Sequence, residues 1–326
     1  MKTVFVTGAS GLLAVNTIKI LLASQHKVIG LLRDVSKFPL QKHPNLKLVV
    51  GDITKEASYL KEITLVDSII HIAAITSQDI SDYAIYQKVN ATATAHLFKN
   101  AQQNNVKRFI YISTANTFGY GTFDNLGDET KEIRYPFVNS LYAKSKLEGQ
   151  ERILELSKKQ DSTTLIILNP TFMIGAFDTK PSSGRMILSA YKKKVLFYPP
   201  GGKSFINVKD TASAVVNSLT KGKNREAYVL SGENLTFKEF YKKVNLQLDA
   251  NPIMIKIPKW LLLTVGFFGS ILRSIGVKTE ATLTNVETLC IYNFYSNNKA
   301  KKELNLVQQP IENGISDAID WFNLKK

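Results

Sequence analysis

The segment TGASGLLA at residues 7–14 follows a short apolar run and opens a stretch of helical periodicity. The pattern predicts a strand before the segment and a helix at 12–24, with apolar residues near one face. A strand that passes into a helix through so few residues is the first half of a βαβ unit. Within this turn, Gly8 allows a tight bend, Gly11 lets a ligand approach the backbone, and Ala14 is small enough for close helix–strand packing.

The start of that helix is a candidate binding site for an anion. Unpaired backbone N–H groups and the positive end of the helix dipole meet there, and both attract phosphate. In this strand–turn–helix setting, the segment indicates the pyrophosphate of a dinucleotide in preference to an ordinary glycine-rich turn. The residues expected to contact it are Gly8, Ser10, Gly11, Leu12 and Leu13.

Apolar strands and helices alternate through the first half of the chain. Further strands are predicted at 28–32, 46–50, 68–73, 108–113 and 165–169. Their nearly continuous apolar runs are typical of strands buried on both faces, with helices between them. The pattern therefore predicts an α/β fold with a doubly wound parallel sheet, in which ligands bind at the carboxyl ends of the strands.

The sequence changes in character after Pro170, where proline and glycine interrupt the chain repeatedly. The predicted division is a cofactor-binding domain at 1–170, to which 204–221 return, and a smaller C-terminal substrate lobe at 171–203 and 222–326. We expect Phe205–Val208 and the helix after it to rejoin the main sheet. The substrate wall is expected to include Phe205, Trp260 and residues 179–185.

The end of the second predicted strand indicates which dinucleotide is bound. Enzymes specific for NAD usually place an acidic residue there, which accepts a hydrogen bond from the 2′-hydroxyl of the ribose. Here Leu32 stands at that position and Arg33 follows, so a cation is present where an acid is missing. We therefore expect NADP(H) in preference to NAD(H), with its 2′-phosphate near Arg33; the alternative is a surface arginine. Lys37 could add a second charge, and Asp34 is expected to point away.

Several further positions are expected to lie along the cofactor. Asp52, which follows the third strand, could accept a hydrogen bond from the adenine amino group, although Gly-Asp is also common in turns. His71, near the end of the fourth strand, is interpreted as structural, and the small alanines behind it leave room for the cofactor. The remaining expected contacts are Ile53, Ala73, Ala74, Pro170, Phe172 and Met173.

A second pattern, YAKSK, places Tyr142 and Lys146 four residues apart, on one face of a helix. The pKa of a tyrosine phenol is about 10, too high for efficient proton transfer at neutral pH, and a nearby ammonium lowers it. Tyr142 is therefore expected to exchange a proton with a carbonyl oxygen, while Lys146 lowers its pKa and holds the nicotinamide ribose. Thr114, after the fifth strand, is chosen as hydrogen-bond donor to the substrate oxygen, with Ser113 second; a capping hydroxyl is the alternative.

The charge of the chain limits the kinds of partner that we expect it to bind. The 326 residues carry a formal net charge of +15, but the lysines and arginines are scattered, and the densest runs, at 192–194 and 299–302, are short. No arginine-rich stretch with interleaved aromatic residues occurs. We therefore expect a basic, solvated surface and no specific nucleic-acid partner.

One segment raises the question of a membrane. Trp260–Leu272, WLLLTVGFFGSIL, is shorter than a bilayer span, so no stable span is expected. We interpret it as a buried helix lining a substrate pocket; a helix resting on a membrane surface is the alternative. Cys290 is the only cysteine, which excludes an internal disulfide and fits a cytoplasmic protein.

Together these residues resemble the extended short-chain dehydrogenase/reductase family, which has the Rossmann fold. The features that occur in the family's order are the glycine loop, His71-Ile72-Ala73-Ala74, Val89-Asn90, Ser113-Thr114, Tyr142-x-x-x-Lys146 and Asn169-Pro170. Within the family, residues 169–175 resemble dihydroflavonol-reductase-like members, and the apolar helix is similar to one in hydroxysteroid dehydrogenases. The resemblance implies NADPH-linked reduction of a ketone or aldehyde, or oxidation of the matching alcohol. It also implies a homodimer formed through helices of the main domain.

A nucleotide-sugar epimerase or dehydratase is the alternative function. Dehydratases of the family carry an Asp-Glu pair directly after the catalytic threonine, whereas Ala115 and Asn116 follow Thr114 here. Epimerases usually place an arginine before the strand that resembles Phe205–Val208, where this chain has Lys203, which lacks the bidentate fork. A non-catalytic NADP(H)-sensing protein is a third alternative, disfavoured because both the tyrosine and the lysine are present.

Overall fold

Strands and helices alternate in the computed structural model, which describes residues 1–160 and 162–324. The strands are β1 Thr3–Thr7, β2 Lys27–Leu32, β3 Leu46–Val50, β4 Ser68–His71, β5 Arg108–Ile112, β6 Thr164–Pro170, β7 Phe172–Ile174, β8 Val195–Tyr198, β9 Gly202–Asn207, β10 Glu226–Leu230, β11 Glu233–Thr236, β12 Ile253–Lys256 and β13 Tyr292–Asn293. The α-helices are α1 Leu12–Ala23, α2 Leu60–Ile63, α3 Tyr83–Tyr86, α4 Ala93–Gln103, α5 Leu141–Lys159, α6 Arg185–Ala190, α7 Val208–Asn217, α8 Phe237–Gln247, α9 Lys259–Ser274, α10 Leu283–Thr288, α11 Asn298–Leu304 and α12 Ile311–Trp321. A π-helical segment, Gln87–Thr92, lies between α3 and α4.

Seven parallel strands form the main sheet in the order β10-β6-β5-β4-β1-β2-β3. From β1 the chain builds outward in one direction through β2 and β3, and then in the other through β4, β5 and β6. The strand order therefore reverses between β1 and β4, where a crevice opens beyond their carboxyl ends. This topology confirms the predicted doubly wound Rossmann fold.

Two apolar layers cover the faces of the main sheet. Successive side chains of a strand point to opposite faces, so Val4 and Val6 of β1 lie in one layer and Phe5 lies in the other. The first layer includes side chains of α1 and α7, and the second includes side chains of α4 and α5. Burial of apolar surface on both faces stabilises the parallel sheet and fixes the positions of its strand ends.

A second, smaller sheet forms the core of the C-terminal lobe. Its central strand β9 pairs with β7, β11 and β13. The Phe205 ring stacks on the Phe240 ring of α8, with their centres 4.1 Å apart. Only Thr171 separates β7 from β6 of the main sheet, so the lobe begins directly at the carboxyl edge of that sheet.

The prediction that Phe205–Val208 rejoins the main sheet is wrong for the strand. β9 lies in the second sheet, and the seventh strand of the main sheet is β10, beside β6. Tyr228 and Leu230 of β10 are fully buried in the main core, whereas Phe205 has aromatic neighbours in the lobe. The helix that follows β9, α7, does return to the main domain and packs against α1.

The apolar segment at 260–272 is helical as predicted, but the prediction that it is buried is wrong. Within α9, Trp260 is 67% exposed and Phe268 is 59% exposed. The helix is buried at its glycines: a Cβ on Gly269 would lie 1.8 Å from the carbonyl oxygen of Ala281. A face of small residues thus approaches the protein, and the large side chains point outward. No helix within residues 1–160 and 162–324 is long and apolar enough to cross a membrane.

Candidate functional site

The loop between β1 and α1 lies where the strand order of the main sheet reverses. Gly8 has a φ of 68°, and a Cβ there would lie 2.9 Å from the Cα of Ala73. Only glycine combines this backbone conformation with so close an approach. Gly11 precedes α1 in an extended conformation, and none of the described side chains caps the helix. The first N–H groups of α1 are therefore available to an anion.

The other residues of this loop contribute through their backbones. The side chains of Leu12 and Leu13 pack into the core of the main domain, which leaves their N–H groups for a ligand. The carbonyl oxygen of Ser10 accepts a hydrogen bond of 3.3 Å from the Thr179 hydroxyl. Thr179, expected in the substrate wall, thus lies beside the phosphate loop and brings the lobe against the predicted cofactor site.

Buried hydrogen bonds hold the carboxyl ends of β1 and β4 together. Thr7 Oγ1 accepts hydrogen bonds from the backbone N–H groups of Ile72 and Ala73, at 3.0 and 3.1 Å, so its own proton goes to His71 Nδ1 at 2.7 Å. His71 Nε2 then carries a proton and donates to Thr94 Oγ1 at 2.9 Å. Burial lowers the pKa of His71 to about 3, so the ring is neutral. The arrangement gives His71 a structural role.

Arg33 and Asp52 follow β2 and β3 at the same edge of the sheet. The Arg33 side chain is exposed and has no ion-pair partner among the described residues. Asp52 Oδ1 accepts hydrogen bonds from the Thr54 N–H and hydroxyl at 2.8 and 2.9 Å. The Thr54 backbone hydrogen bond and, more weakly, the charge of Arg33 hold the pKa of Asp52 below its ordinary value. Ile53 is buried beneath them.

Asp34 is engaged within its own turn. It accepts a hydrogen bond of 3.0 Å from the Ser36 N–H and pairs with Lys37 at 2.7 Å. The bond to Lys37 and those from Ser36 lower the pKa of Asp34 to about 2. Lys37, which was expected to add a second positive charge near the 2′-phosphate, thus forms an ion pair with Asp34. An adjoining cleft of about 300 Å³ is lined by Ser36, Lys37, Phe38, Pro39, Thr179 and Lys180.

Tyr142 lies in the first turn of α5, where Ser140 caps the helix by accepting a hydrogen bond of 3.3 Å from the Ala143 N–H. The Thr114 side chain lies close enough to the Tyr142 phenol to lower the pKa of that phenol. Thr114 Oγ1 also accepts a hydrogen bond of 3.3 Å from the Asn116 N–H, which begins a 3₁₀ turn. Thr114 therefore caps this turn, which was the alternative role considered for it. Its hydroxyl remains next to Tyr142.

Lys146 lies one turn further along α5 and is 1% exposed. Its Nζ donates a hydrogen bond of 2.6 Å to the carbonyl oxygen of Ile112 and lies 4.3 Å from the centre of the Tyr111 ring. Among the described residues it has no carboxylate partner. Burial therefore lowers the pKa of Lys146 to about 7.

The expected effect of Lys146 on Tyr142 is not found in this structure. Burial raises the pKa of Tyr142 to about 12, and the nearby Thr114 side chain offsets only part of that rise. The prediction of a lowered tyrosine pKa is wrong for this structure because burial outweighs the other effects, and the ammonium of Lys146 is directed at the Ile112 carbonyl oxygen. The charged form of Lys146 is itself disfavoured by burial.

Two polar atoms behind the Tyr142–Thr114 pair are buried without partners among the described residues. They are the Oγ of Ser113 and the Oδ1 of Asn169. Asn169 Nδ2 donates hydrogen bonds of 3.0 Å to the Thr114 carbonyl oxygen and to Thr117 Oγ1, so it holds the turn that carries Thr114. Buried polar atoms without partners are rare in folded proteins and suit a polar ligand or water.

The lobe contributes aromatic and basic groups next to this edge. Pro170 is buried, whereas Phe172 and Met173 of β7 are half-buried. The Nζ of Lys203 lies 5.1 Å from the centre of the Phe172 ring. Phe205, expected in the substrate wall, is instead fully buried in the lobe core, and that prediction is wrong because its ring stacks inside the lobe.

A cleft beside Tyr142 escaped the sequence analysis. It has a volume of about 210 Å³ and is lined by residues of three segments, at 78–86, 139–141 and 270–285. Arg273 of α9 closes one side by donating hydrogen bonds to the carbonyl oxygens of Gln78, at 3.1 Å, and Ile80. No local pattern could have revealed a cleft whose walls lie so far apart in the chain.

Asn90 ties the loop after Ala74 to the helix of Tyr142. Its Oδ1 accepts a hydrogen bond of 2.8 Å from the Ile75 N–H, and its Nδ2 donates 3.0 Å bonds to the Ile75 carbonyl oxygen and to Ser145 Oγ. It lies in the π-helical segment, an irregularity often found at functional sites. In the sequence, Asn90 stands out only as a family feature, without a role.

The residues at this edge fit a nicotinamide dinucleotide. The close approach of Gly8 to Ala73 and the uncapped start of α1 suit a pyrophosphate. The buried Oγ of Ser113 and the Lys146 ammonium lie away from this loop, at the carboxyl end of β5. Polar groups of a ribose or amide would find partners there.

Comparison with known proteins agrees with this geometry. Residues 4–231 match the NAD dependent epimerase/dehydratase family. The chain is 24% identical over 324 residues to "Putative dihydroflavonol 4-reductase" of Synechocystis sp., covering 98% of this chain and 94% of the relative. It is 24% identical over 326 residues to sterol demethylase protein B of Methylococcus capsulatus, covering 98% of each. The crystal structure of gox2253 superposes with a TM-score of 0.85 at 26% identity, covering 99% of both chains.

The family match spans well over half of the chain, and the fold and loop geometry are those that the resemblance implied. This chain belongs to the NAD dependent epimerase/dehydratase family, that is, to the extended short-chain dehydrogenases/reductases. The resemblance stated from the sequence is confirmed. Membership defines an enzyme that uses a nicotinamide cofactor.

Proposed function

We propose that this enzyme reduces a ketone or an aldehyde with NADPH, or oxidises the matching alcohol with NADP⁺. The observation that carries the proposal is the position of Thr114 beside the Tyr142 phenol, at the end of a strand to which Lys146 of the same helix donates a hydrogen bond of 2.6 Å. Two hydroxyl groups that meet at the carboxyl end of a parallel sheet can address a single carbonyl oxygen. Thr114 donates a hydrogen bond to that oxygen, and Tyr142 gives it the proton that completes the alcohol.

Bound NADPH supplies the hydride for the carbonyl carbon. The chain supplies the proton and the positions of the reacting groups. Burial raises the pKa of Tyr142 to about 12, so the phenol is protonated at neutral pH and the proton to be donated is in place. Lys146 lies one turn away and donates to the Ile112 carbonyl oxygen here. It would hold ribose hydroxyls of the bound cofactor and, with its ammonium turned towards Tyr142, would lower the pKa of the phenol as the proton leaves. Asn90 and Ser145 hold α5 against the neighbouring loop.

The charges around Arg33 support NADP(H) as the cofactor. Arg33 is exposed and free of ion pairs within the described part of the chain, and Asp34 is turned towards Ser36 and Lys37. No carboxylate of this turn is therefore left to accept a hydrogen bond from a ribose 2′-hydroxyl. Lys37 and Lys180 line one cleft, so cations of the main domain and of the lobe converge near the expected 2′-phosphate.

The substrate that we propose is an apolar ring compound with a carbonyl group. The names of two relatives refer to a dihydroflavonol and to a sterol, and both are multi-ring compounds. The cleft next to Leu141, the residue before Tyr142, is small, about 210 Å³, and meets the polar inner side of α9 through Ser270 and Arg273. Its lining is polar except for Leu141, so it suits the polar end of such a molecule.

The test is an assay of NADPH oxidation with a panel of ring ketones and aldehydes, with product mass measured alongside. We expect loss of NADPH matched by an alcohol two hydrogens heavier than the substrate. The outcome that contradicts the proposal is interconversion of nucleotide sugars without net loss of cofactor, together with no oxidation of NADPH by any carbonyl compound.

A nucleotide-sugar epimerase is the second candidate, and the environment of Lys203 supports it even though lysine lacks the bidentate fork of the arginine that is usual in epimerases. Its ammonium faces the Phe172 ring and has no hydrogen-bond acceptor among the described residues. Burial lowers the pKa of Lys203 to about 8, so an anionic group of a substrate would stabilise its charged form. The assay above separates the two functions because an epimerase returns its cofactor to the starting oxidation state.

A further inference from the structure

The outer face of α9 is apolar and uncovered. Its side chains are between 41% and 71% exposed, including that of Ile275 just beyond the helix. The residues of this face are Trp260, Leu261, Val265, Phe267, Phe268, Ile271, Leu272 and Ile275. Apolar patches of this extent on a folded protein mark a contact with another molecule or with a lipid surface.

Folding alone does not explain this orientation, because the helix turns its small and polar residues inward. Gly266 and Gly269 are the buried positions of α9. Ser270 Oγ accepts a hydrogen bond of 2.8 Å from the Leu283 N–H, and Arg273 binds the carbonyl oxygen of Gln78. A helix that served only the core of the protein would bury its large apolar side chains and expose the polar ones.

Cations frame this face and carboxylates are missing from it. No aspartate or glutamate occurs from Ala250 to Thr279. Lys256 and Lys259 are exposed at the amino end of α9, and Lys278 is exposed just past its carboxyl end. The strands that lead to the helix add exposed apolar side chains, since Phe197 of β8 is 57% exposed and Ile253 of β12 is 67% exposed.

We propose that the outer face of α9 docks on an anionic lipid bilayer, with the helix lying along the membrane surface. A helix of 16 residues is about 24 Å long, shorter than the roughly 30 Å hydrocarbon core, so it cannot cross. An apolar face with flanking lysines matches acyl chains below anionic headgroups. A second copy of the chain fits less well, because a symmetric contact would bring the same lysines of both copies together.

The position of α9 gives this docking a consequence, which rests on the proposed function. Ser270 and Arg273, on the inner side of the helix, line the cleft that also reaches Tyr86 and Leu141, beside Tyr142. When the protein is docked in this way, its cleft therefore lies next to the lipid. An apolar carbonyl compound dissolved in the bilayer would reach the cleft without crossing bulk water.

Binding to vesicles tests the docking without any substrate or cofactor, so its failure is separate from a failure of the proposed function. A Trp321→Phe variant leaves Trp260 as the only tryptophan. We expect it to sediment with vesicles of equal parts phosphatidylglycerol and phosphatidylcholine, with a blue shift of Trp260 emission. Binding to phosphatidylcholine alone should be weaker by at least about fivefold, and salt should weaken the anionic binding.

Matched variants separate the apolar and the charged contributions. Phe267→Ser with Phe268→Ser should abolish sedimentation, and Lys256→Gln with Lys259→Gln should remove the preference for phosphatidylglycerol. Val307→Ser, at another apolar side chain that is 64% exposed, and Lys301→Gln with Lys302→Gln are the controls and should bind as the parent does.

Three results would overturn the proposal. The first is no sedimentation of the parent with anionic vesicles. The second is full binding by the Phe267→Ser, Phe268→Ser variant. The third is a parent that is dimeric by sedimentation velocity, fails to bind vesicles and becomes monomeric on the same substitutions, which would assign the face to a second copy of the chain.

Discussion

The Nζ atom of Lys146 donates a 2.6 Å hydrogen bond to the carbonyl oxygen of Ile112, the last residue of β5. This bond joins the helix of Tyr142 to the strand that Thr114 follows, so the three proposed catalytic side chains share one rigid frame. It also holds the lysine in a buried position. The charged form of Lys146 is therefore disfavoured, and its pKa falls to about 7.

The first prediction concerns the pH dependence of stability. In the unfolded chain Lys146 remains protonated up to about pH 10.5, whereas in the folded protein it remains protonated only up to about pH 7. Between these values the unfolded chain binds more protons, so this lysine makes the free energy of unfolding rise with pH. In Lys146→Met that contribution is missing, and the difference between parent and variant should change steadily from pH 7 to about pH 10. Urea unfolding at several pH values measures it.

Lys144→Met is the matched control for that experiment, since Lys144 is exposed on the same helix. The free energies of unfolding of the parent and of Lys146→Met should differ by an amount that changes with pH. A difference that stays constant from pH 7 to about pH 10 would contradict the account of a buried, partly neutral lysine.

The second prediction separates the two roles of Thr114. Thr114→Val removes both the hydroxyl beside the Tyr142 phenol and the cap on the Asn116 N–H, so kcat/KM should fall by about 10- to 100-fold. Thr114→Ser keeps the hydroxyl and should retain most of the activity. Steady-state kinetics with one carbonyl substrate compares them. Equal activity of the valine and serine variants would remove Thr114 from the mechanism.

The third prediction concerns the choice of dinucleotide. Arg33→Ala should weaken NADPH binding at least about tenfold, the equivalent of about 1.4 kcal/mol, and leave NADH binding almost unchanged. Lys27→Ala is the matched control, because Lys27 is an exposed cation at the opposite end of the same strand. Fluorescence titration with each nucleotide measures both affinities. Loss of NADPH and NADH affinity in equal proportion would contradict the assignment of Arg33 to the 2′-phosphate.

The fourth prediction concerns the protonation of His71. Thr7 donates to Nδ1 and Nε2 donates to Thr94, and burial holds the pKa near 3. The ring should therefore remain neutral, with its proton on Nε2, at about pH 6. Heteronuclear NMR of the imidazole nitrogens reports both the tautomer and the charge. A His71 ring that is protonated at that pH would show that the hydrogen-bond chain is arranged differently.

Local patterns in the sequence were sufficient for the turn between β1 and α1 and for the helix of Tyr142. The loop at Gly8–Leu13 is defined by neighbouring residues, and four-residue spacing alone places Tyr142 and Lys146 on one face of a helix. The continuous apolar strands likewise indicated a parallel sheet, and the structure confirms the doubly wound topology.

Features that depend on contacts distant in sequence could not be predicted. Both β9 and β10 contain a short apolar run, and their assignment to different sheets depends on the partners of Phe205 and Tyr228. The orientation of α9 depends on the approach of Gly269 to Ala281, which hydropathy does not reveal. The pKa of Tyr142 depends on its burial among residues distant in sequence, and the direction of Lys146 depends on the Ile112 carbonyl oxygen.

The most direct test of the proposed mechanism is a comparison of Tyr142→Phe with the parent for NADPH binding and for carbonyl reduction. Tyr292→Phe, which removes the phenolic hydroxyl of a tyrosine that is 41% exposed, is the control. We predict that Tyr142→Phe binds NADPH as the parent does and loses reduction by at least about 100-fold, because no other group replaces the proton donor. Reduction at the parent rate with unchanged NADPH binding would contradict the mechanism.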